Sequence, residues 1–140
     1  MIIPFHELSI IPLEKGYDLS SFTSSSEDLN DFLHNDAIRS QEELISRTYI
    51  CLWNRRLVGF FTLVTDTIEV KLVEKEDGVD DYGYQRYLAI KIARMAVDEK
   101  LSGSGIGRHL LLAAVGKVHH LSQEVGCRYI TVDSKKDAVG

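Results

Sequence analysis

Hydrophobic residues recur at helical spacing in the first third of the chain, between polar residues on the other faces. The apolar positions lie three or four residues apart: Leu29, Phe32, Leu33, Ala37 and Ile38. This stripe predicts a helix with one buried face. Ser24 and Glu27 have capping-box spacing, so we expect the helix to begin near them. Residues 41–45 predict a second short helix, because no proline or glycine interrupts them.

Strand-like runs rich in β-branched and aromatic residues occupy much of the remaining chain. They cover residues 5–13, 47–53, 57–64, 87–97 and 128–132. The polar residues 54–56 predict an antiparallel hairpin between the second and third runs. Few polar residues interrupt the run 87–97, so we expect it to be a central strand of the sheet. Residues 68–81 are more polar and predict an excursion out of the sheet.

A second amphipathic pattern lies between the last two strand-like runs. Its apolar positions are Ile106, Leu110, Leu111, Ala114, Val115, Val118 and Leu121. Gly126 follows where a helix C-cap belongs. The order strand, helix, strand predicts a right-handed parallel crossover, followed by a loop over residues 133–137. The chain therefore predicts an α+β fold with an α/β-type mixed sheet, in a single domain over residues 1–140.

Between the strand 87–97 and the following helix lies a loop that we call the glycine loop, residues 102–108. It places glycine at every second position: Gly103, Gly105 and Gly107. Glycines let a phosphate approach the backbone, and the first N–H groups of the helix lack partners within it. The loop therefore predicts a pyrophosphate site. It lacks the Gly-Lys-Ser/Thr ending of a nucleoside triphosphate site, and the hairpin before it disfavours a dinucleotide fold.

Composition and charge narrow the class of protein. The formal net charge of −5 disfavours a nucleic-acid binder that is basic overall, although a local patch stays compatible with it. No apolar run approaches the roughly 20 residues that span a bilayer, and the N-terminus lacks the basic region of a signal peptide. We therefore expect a cytoplasmic protein with no membrane partner. Cys51 and Cys127 predict buried reduced thiols, and neither has metal-ligand spacing.

The glycine loop and several other blocks resemble the GCN5-related N-acetyltransferase superfamily. The family's acyl-CoA motif, Gln/Arg-x-x-Gly-x-Gly/Ala, aligns with residues 102–107; the glycines match, and Ser102 replaces the long polar first residue. Further blocks resemble the toxin-type branch, whose known members include modifiers of aminoacyl-tRNA amines. These blocks are Phe22 with the apolar stripe Leu29 to Ala37, and residues 46–50, 58–63 and 94–97.

The resemblance implies acetyl-CoA as co-substrate, no metal, and transfer of an acetyl group to a primary amine of unknown acceptor by direct attack. It implies that the backbone of Met95, Ala96 and Val97 pairs with the pantetheine arm. The implied pyrophosphate site consists of Ser102, Gly103, Ser104, Gly105, Ile106, Gly107 and Arg108. Two alternatives stay open: a non-catalytic acyl-CoA-binding or protein-interaction module, and a toxin that acetylates aminoacyl-tRNA.

No residue of the chain is assigned to catalysis. Asp66, Glu69 and Asp98 are candidate bases by position alone, and Tyr82, Tyr84 and Tyr87 are weak candidates for lining an acceptor site. The cations available to a nucleic acid are Arg39, Arg47, Arg55, Arg56, Lys135 and Lys136. In the family, a Phe-Tyr pair and final strands follow the position of Gly140, so the resemblance predicts a truncated domain without the tyrosine that protonates CoA. A homodimer is one way to close its sheet edge.

Overall fold

The computed structural model describes residues 1–73, 78–79 and 82–132. Within these residues, five strands form one sheet in the order β1-β2-β3-β4-β5. The strands are Leu8–Pro12 (β1), Arg47–Trp53 (β2), Arg56–Glu69 (β3), Arg86–Val97 (β4) and Tyr129–Val132 (β5). Neighbours from β1 to β4 are antiparallel, whereas β5 runs parallel to β4. The predicted α+β fold, its hairpin and its parallel β4–helix–β5 connection are confirmed.

Helices cover both faces of the sheet. The helical elements are α1 (Glu27–Asp31), a π-helix (Phe32–Asp36), α2 (Ala37–Glu42), α3 (Ile106–Ser122) and 3₁₀ turns at Phe5–Glu7, Val70–Leu72 and Glu99–Leu101. We call the two sides of the sheet the α1 face and the α3 face. The buried core of the α1 face contains Phe22, Leu29, Phe32, Leu33, Ala37, Ile50, Phe60 and Ala96. That of the α3 face contains Ile3, Val58, Phe61, Ile92, Ile106, Leu110, Ala114 and Val118.

The helical boundaries on the α1 face differ from the sequence prediction. The N-cap of α1 is Ser26, whose hydroxyl accepts a hydrogen bond from the N–H of Leu29 at 3.3 Å. Ser24 is not the cap, because its hydroxyl is hydrogen-bonded to the Asn30 side chain at 2.8 Å. The helix predicted at 41–45 is also wrong. Helix α2 ends at Glu42, and Leu44 adopts a positive φ of 61°, which breaks the helical path.

Helix α3 buries a narrower face than the pattern predicted. The residues on the sheet side form a single i, i+4 row: Ile106, Leu110, Ala114 and Val118. Leu111 and Val115 lie outside that row and are 43% and 39% exposed. The C-cap is Gln123 rather than Gly126, since α3 already ends at Ser122.

Strand β3 extends to Glu69, so the predicted excursion at 68–81 begins later than the sequence indicated. Residues 74–77 and 80–81, and the loop predicted at 133–137, lie outside the described residues.

Candidate active site

One edge of β4 is only partly paired. Strand β5 pairs with β4 over Ala89 to Ile92. In the described part of the chain, no strand covers that edge from residue 93 to Val97, although β3 continues to pair with the other edge. An uncovered strand edge presents N–H and C=O groups that can bind an extended ligand. Met95, Ala96 and Val97, for which the family resemblance implied this role, all lie in this open segment of β4.

A β-bulge lies at the start of the open segment. Thr62 pairs with Arg94 and Leu63 pairs with Ile92, which leaves Ala93 without a partner on β3. One extra residue reverses the faces of every residue after it. Ile92 before the bulge and Met95 after it consequently both pack on the α3 face, whereas Arg94 is directed to the α1 face, where it contacts Phe32. Bulges are common next to active sites, where they redirect side chains.

The glycine loop connects the end of β4 and its 3₁₀ turn to α3. Gly103 and Gly105 have φ values of +77° and +91°, which residues with a Cβ rarely adopt. The N–H of Ser104 donates to the carbonyl of Leu101 at 3.2 Å, which closes the turn. The glycines at these two positions are therefore explained by backbone geometry. They also leave the approach to the loop clear of side chains.

The N-terminus of α3 carries N–H donors that have no partner in the part of the chain that the structure describes. The first helical hydrogen bond runs from the N–H of His109 to the carbonyl of Gly105 at 3.1 Å, so the N–H groups of Ile106, Gly107 and Arg108 precede it. Gly105 supplies no side-chain cap, and the first turn of α3 contains no acidic residue. The exposed Arg108 adds a positive charge at this end of the helix. These features together suit an anionic ligand.

Ser104 gives a second indication that the loop binds a polar ligand. Its side chain is 3% exposed, and its hydroxyl has no hydrogen-bond partner among the described residues. An unpaired buried hydroxyl is costly and needs an explanation. The Ser104 hydroxyl adds one more donor to the first N–H groups of α3. A set of donors of this kind fits a ligand rich in acceptor oxygens, such as a pyrophosphate. The loop residues thus fit the phosphate portion of the predicted co-substrate.

The N-terminal segment packs against the glycine loop. The sequence did not predict this contact. The N–H of Ile3 donates to the carbonyl of Ser104 at 2.9 Å, and the Ile3 side chain is buried in the α3-face core. Phe5 packs edge-on against the His109 ring at a centroid distance of 4.6 Å. Burial lowers the pKa of His109, which favours its neutral form. No local pattern could reveal these contacts, because the partners are far apart in sequence.

The three candidate bases have structural partners. Asp98 is buried and accepts hydrogen bonds from the N–H groups of Lys100 and Thr23. Asp66 accepts from the Thr131 hydroxyl at 2.8 Å; this bond, a backbone hydrogen bond and nearby cations lower the pKa of its carboxyl, which makes it a poorer base. Glu69 forms ion pairs with two exposed cations, Lys71 and Arg86. The geometry provides no support for a catalytic role of any of the three.

The tyrosines pack together rather than line the open segment of β4. Tyr87 is 2% exposed and stacks on Tyr82 at a centroid distance of 4.4 Å. The ring of Tyr82 also meets that of Tyr84 at 5.5 Å, and Tyr87 contacts Tyr129. The Tyr82 hydroxyl donates to the carbonyl of Arg86 at 2.7 Å. This cluster stabilises the far ends of β4 and β5, away from Met95.

The two cysteines and the possible metal ligands form no alternative catalytic site within the described residues. Cys51 is fully buried, and burial raises its thiol pKa to about 11, as expected of an inert thiol. Cys127 is partly exposed, and both thiols are free. In the described part of the chain, no three His, Cys, Asp or Glu side chains are grouped to hold a metal ion. None of its helices has the length and apolarity needed to cross a membrane.

Comparisons with known proteins agree with this geometry. The model of the acetyltransferase (GNAT) family matches residues 10–139. A tRNA-acetylating toxin of Mycobacterium tuberculosis is 30% identical over 120 residues, which span 86% of this chain and 71% of the toxin. The structure of AtaT complexed with acetyl-methionyl-tRNAfMet matches with a TM-score of 0.82 and 28% identity, over 91% of this chain and 78% of AtaT. A Tyr-to-Phe mutant of AtaT, bound to the C-terminus of the antitoxin AtaR and acetyl-CoA, matches with a TM-score of 0.76 and 28% identity, over 92% and 76% of the two chains.

Proposed function

The chain belongs to the acetyltransferase (GNAT) family, and we propose that it transfers the acetyl group of acetyl-CoA to the α-amine of an aminoacyl-tRNA. The similarity to a tRNA-acetylating toxin and to AtaT supports this acceptor over other primary amines. The family match makes a catalytic role the better interpretation than a non-catalytic binding module.

The proposed co-substrate site follows one continuous path along the chain. The open edge of β4 at Met95, Ala96 and Val97 would pair with the amide groups of the pantetheine arm, as an added strand would. The pyrophosphate would lie at the glycine loop, residues 102–108, against the first N–H groups of α3. Ser102 is exposed at the start of this loop and can contribute one hydroxyl. The observation that carries the proposal is that, among the described residues, no strand covers this edge, which leads directly to helix N–H groups that have no partner there.

The chemistry places few demands on the protein's own side chains. Acetyl-CoA supplies an acetyl group that is already activated as a thioester. The protein must hold the carbonyl and the acceptor amine in line and keep water away from them. An α-amine has a pKa of about 8, so a sizeable fraction is neutral in mildly alkaline solution without an enzymic base. This explains how the site can work although Asp66, Glu69 and Asp98 have structural roles.

The test is a direct acetylation assay. The 140-residue chain is incubated with acetyl-CoA and a panel of aminoacyl-tRNAs, and the aminoacyl-adenosine released by nuclease is analysed by mass spectrometry. We expect a mass increase of one acetyl group on one or more members of the panel. Calorimetry with acetyl-CoA alone measures the co-substrate site separately. Saturable binding without any acetylated aminoacyl-tRNA would reject the acceptor, and absence of binding by folded protein would reject the co-substrate site.

A pair of glycine variants makes the assay specific to the loop. Gly105→Ala forces a residue with a Cβ into a φ of +91°, which costs about 1–2 kcal/mol and distorts the N-terminus of α3. We expect its affinity for acetyl-CoA to fall about tenfold. Gly116→Ala is the control, because Gly116 lies within α3 and an added Cβ there meets no atom within 4 Å. Equal acetyl-CoA affinities in the two variants would contradict the assignment of the loop.

A further inference from the structure

Arg94 is an arginine whose charge is not neutralised within the described structure. It lies in β4 within the open segment, directly after the bulge at Ala93, and its side chain is half-buried. Its guanidinium carbon lies 3.8 Å from the centroid of the Phe32 ring. No carboxylate pairs with it among the described residues. By contrast, Arg39 and Arg86 form ion pairs with Glu43 and Glu69. Arg94 was absent from the cations that the sequence suggested for nucleic-acid binding.

The contact with Phe32 determines which part of the guanidinium is available. A distance of 3.8 Å between the guanidinium carbon and the ring centroid is typical of stacking, and the N–H donors of a stacked guanidinium lie in its plane and point away from the ring. The aromatic contact therefore fixes the side chain, and no side chain or carbonyl among the described residues accepts a hydrogen bond from its donors. Phe32 itself is 7% exposed and stacks on Phe60, so the platform under the guanidinium is rigid. A preorganised planar fork of this kind matches the two oxygens of a phosphate.

The bulge at residue 93 places Arg94 on the opposite side of the sheet from the glycine loop. Arg94 contacts Phe32 of the α1 face, while Ile106 anchors the start of α3 on the other face. An acyl donor whose pyrophosphate lies at α3 would reach the open edge of β4 from the α3 side. The α1 side of the same edge would then be left for the acceptor. The net charge of −5 makes a local cation there important for any polyanion.

We infer that Arg94 binds a backbone phosphate near the acceptor end of the tRNA and thereby positions the aminoacyl amine at the open edge of β4. This rests on the proposed function, since it concerns the acceptor of that reaction. Arg94 is a positioning residue for the acceptor and takes no part in binding acetyl-CoA. The phosphate belongs to the nucleic acid and therefore carries no information about which amino acid is attached.

The test compares three variants of the 140-residue chain. Arg94→Gln removes the charge and the fork, and Arg94→Lys keeps the charge but loses the bidentate geometry. Lys117→Gln is the matched control: Lys117 is also half-buried, and its ammonium lies over the Tyr49 ring at 5.1 Å, but on α3. Filter binding of uncharged tRNA is measured in saturating CoA over a range of salt concentrations. Calorimetry with acetyl-CoA and a thermal melt are run on each variant.

We expect Arg94→Gln to weaken tRNA binding about tenfold and to reduce the salt slope by about one, with acetyl-CoA affinity unchanged. Arg94→Lys should recover part of the affinity, and Lys117→Gln should match the wild type. An equal loss in both Gln variants, or unchanged tRNA binding in a folded Arg94→Gln protein, would overturn the inference. Wild-type protein that fails to bind tRNA also overturns it. If tRNA binding depends on Arg94 but no acetylated product forms, the phosphate contact stands and only the proposed reaction is rejected.

Discussion

Gly59 is a position where the sheet and α3 leave no room for a side chain, and Gly59→Ala tests whether that close approach is required. Gly59 lies in β3 between Cys51 of β2 and Val97 of β4. A Cβ at this position would lie 3.0 Å from Leu110 Cδ1, 3.1 Å from the carbonyl oxygen of Ala96 and 3.4 Å from Ile106 Cγ2. The predicted effect therefore comes from lack of space, and no unusual backbone conformation is involved.

The size of the effect follows from which neighbours can move. Leu110 can change rotamer, but the Ala96 carbonyl belongs to β4 and cannot move without distorting the strand. Overpacking of this kind costs about 1–3 kcal/mol of unfolding free energy. For a chain of this length the corresponding fall in Tm is about 4–12 °C. Ile106 begins α3, so its displacement should also weaken acetyl-CoA binding.

The assay is thermal unfolding followed by circular dichroism, with acetyl-CoA calorimetry on the same protein. Gly116→Ala is again the control, because alanine favours the helix interior and should raise stability by about 0.5–1 kcal/mol. The same substitution should therefore lower Tm at Gly59, where the added methyl group is overpacked, and raise it at Gly116, where alanine reduces the conformational entropy of the unfolded chain. The reasoning fails if Gly59→Ala melts within about 1 °C of the wild type.

Three further predictions concern groups outside the proposed site. Ser26→Ala removes the cap of α1 and should lower the unfolding free energy by about 1 kcal/mol in urea titrations; no change would contradict the cap. Hydrogen bonds from Thr131 and the backbone lower the pKa of Asp66, so its stabilisation is present above about pH 4 and is lost as the pH falls further. The difference in unfolding free energy between wild type and Asp66→Asn should therefore narrow below pH 4, and a constant difference would refute this. With a thiol pKa of about 11, the buried Cys51 should resist iodoacetamide at about pH 8, while the partly exposed Cys127 should react. Mass spectrometry of the native protein measures which thiol is alkylated first, and faster alkylation of Cys51 would contradict the prediction.

The sequence predicted features that depend on neighbouring residues. The order of strands and helices, the glycine loop and the start of α3 at Ile106 all follow from local pattern. The choice of cap did not, because residues 24–26 are all serine and their pattern does not show that the Ser24 hydroxyl bonds to the Asn30 side chain instead of capping the helix. The hydrogen bond from Ile3 to Ser104 was also unpredictable, since it joins segments far apart in the chain. Leu111 and Val115 show that an apolar residue on a helix need not face the core.

The bulge at Ala93 was the feature of the site least visible in the sequence, and the reason is physical. A strand with one buried face alternates apolar and polar residues, so an inserted residue would break the alternation. In β4 both faces are covered over part of its length, so apolar and polar residues do not alternate regularly, and the cations Lys91 and Arg94 lie three residues apart. This odd spacing is compatible with a bulge, but without a regular alternation it does not locate one. In the structure it sets the direction of Arg94 and Met95, which lie on the two faces of the open edge that we propose for the acceptor and for acetyl-CoA.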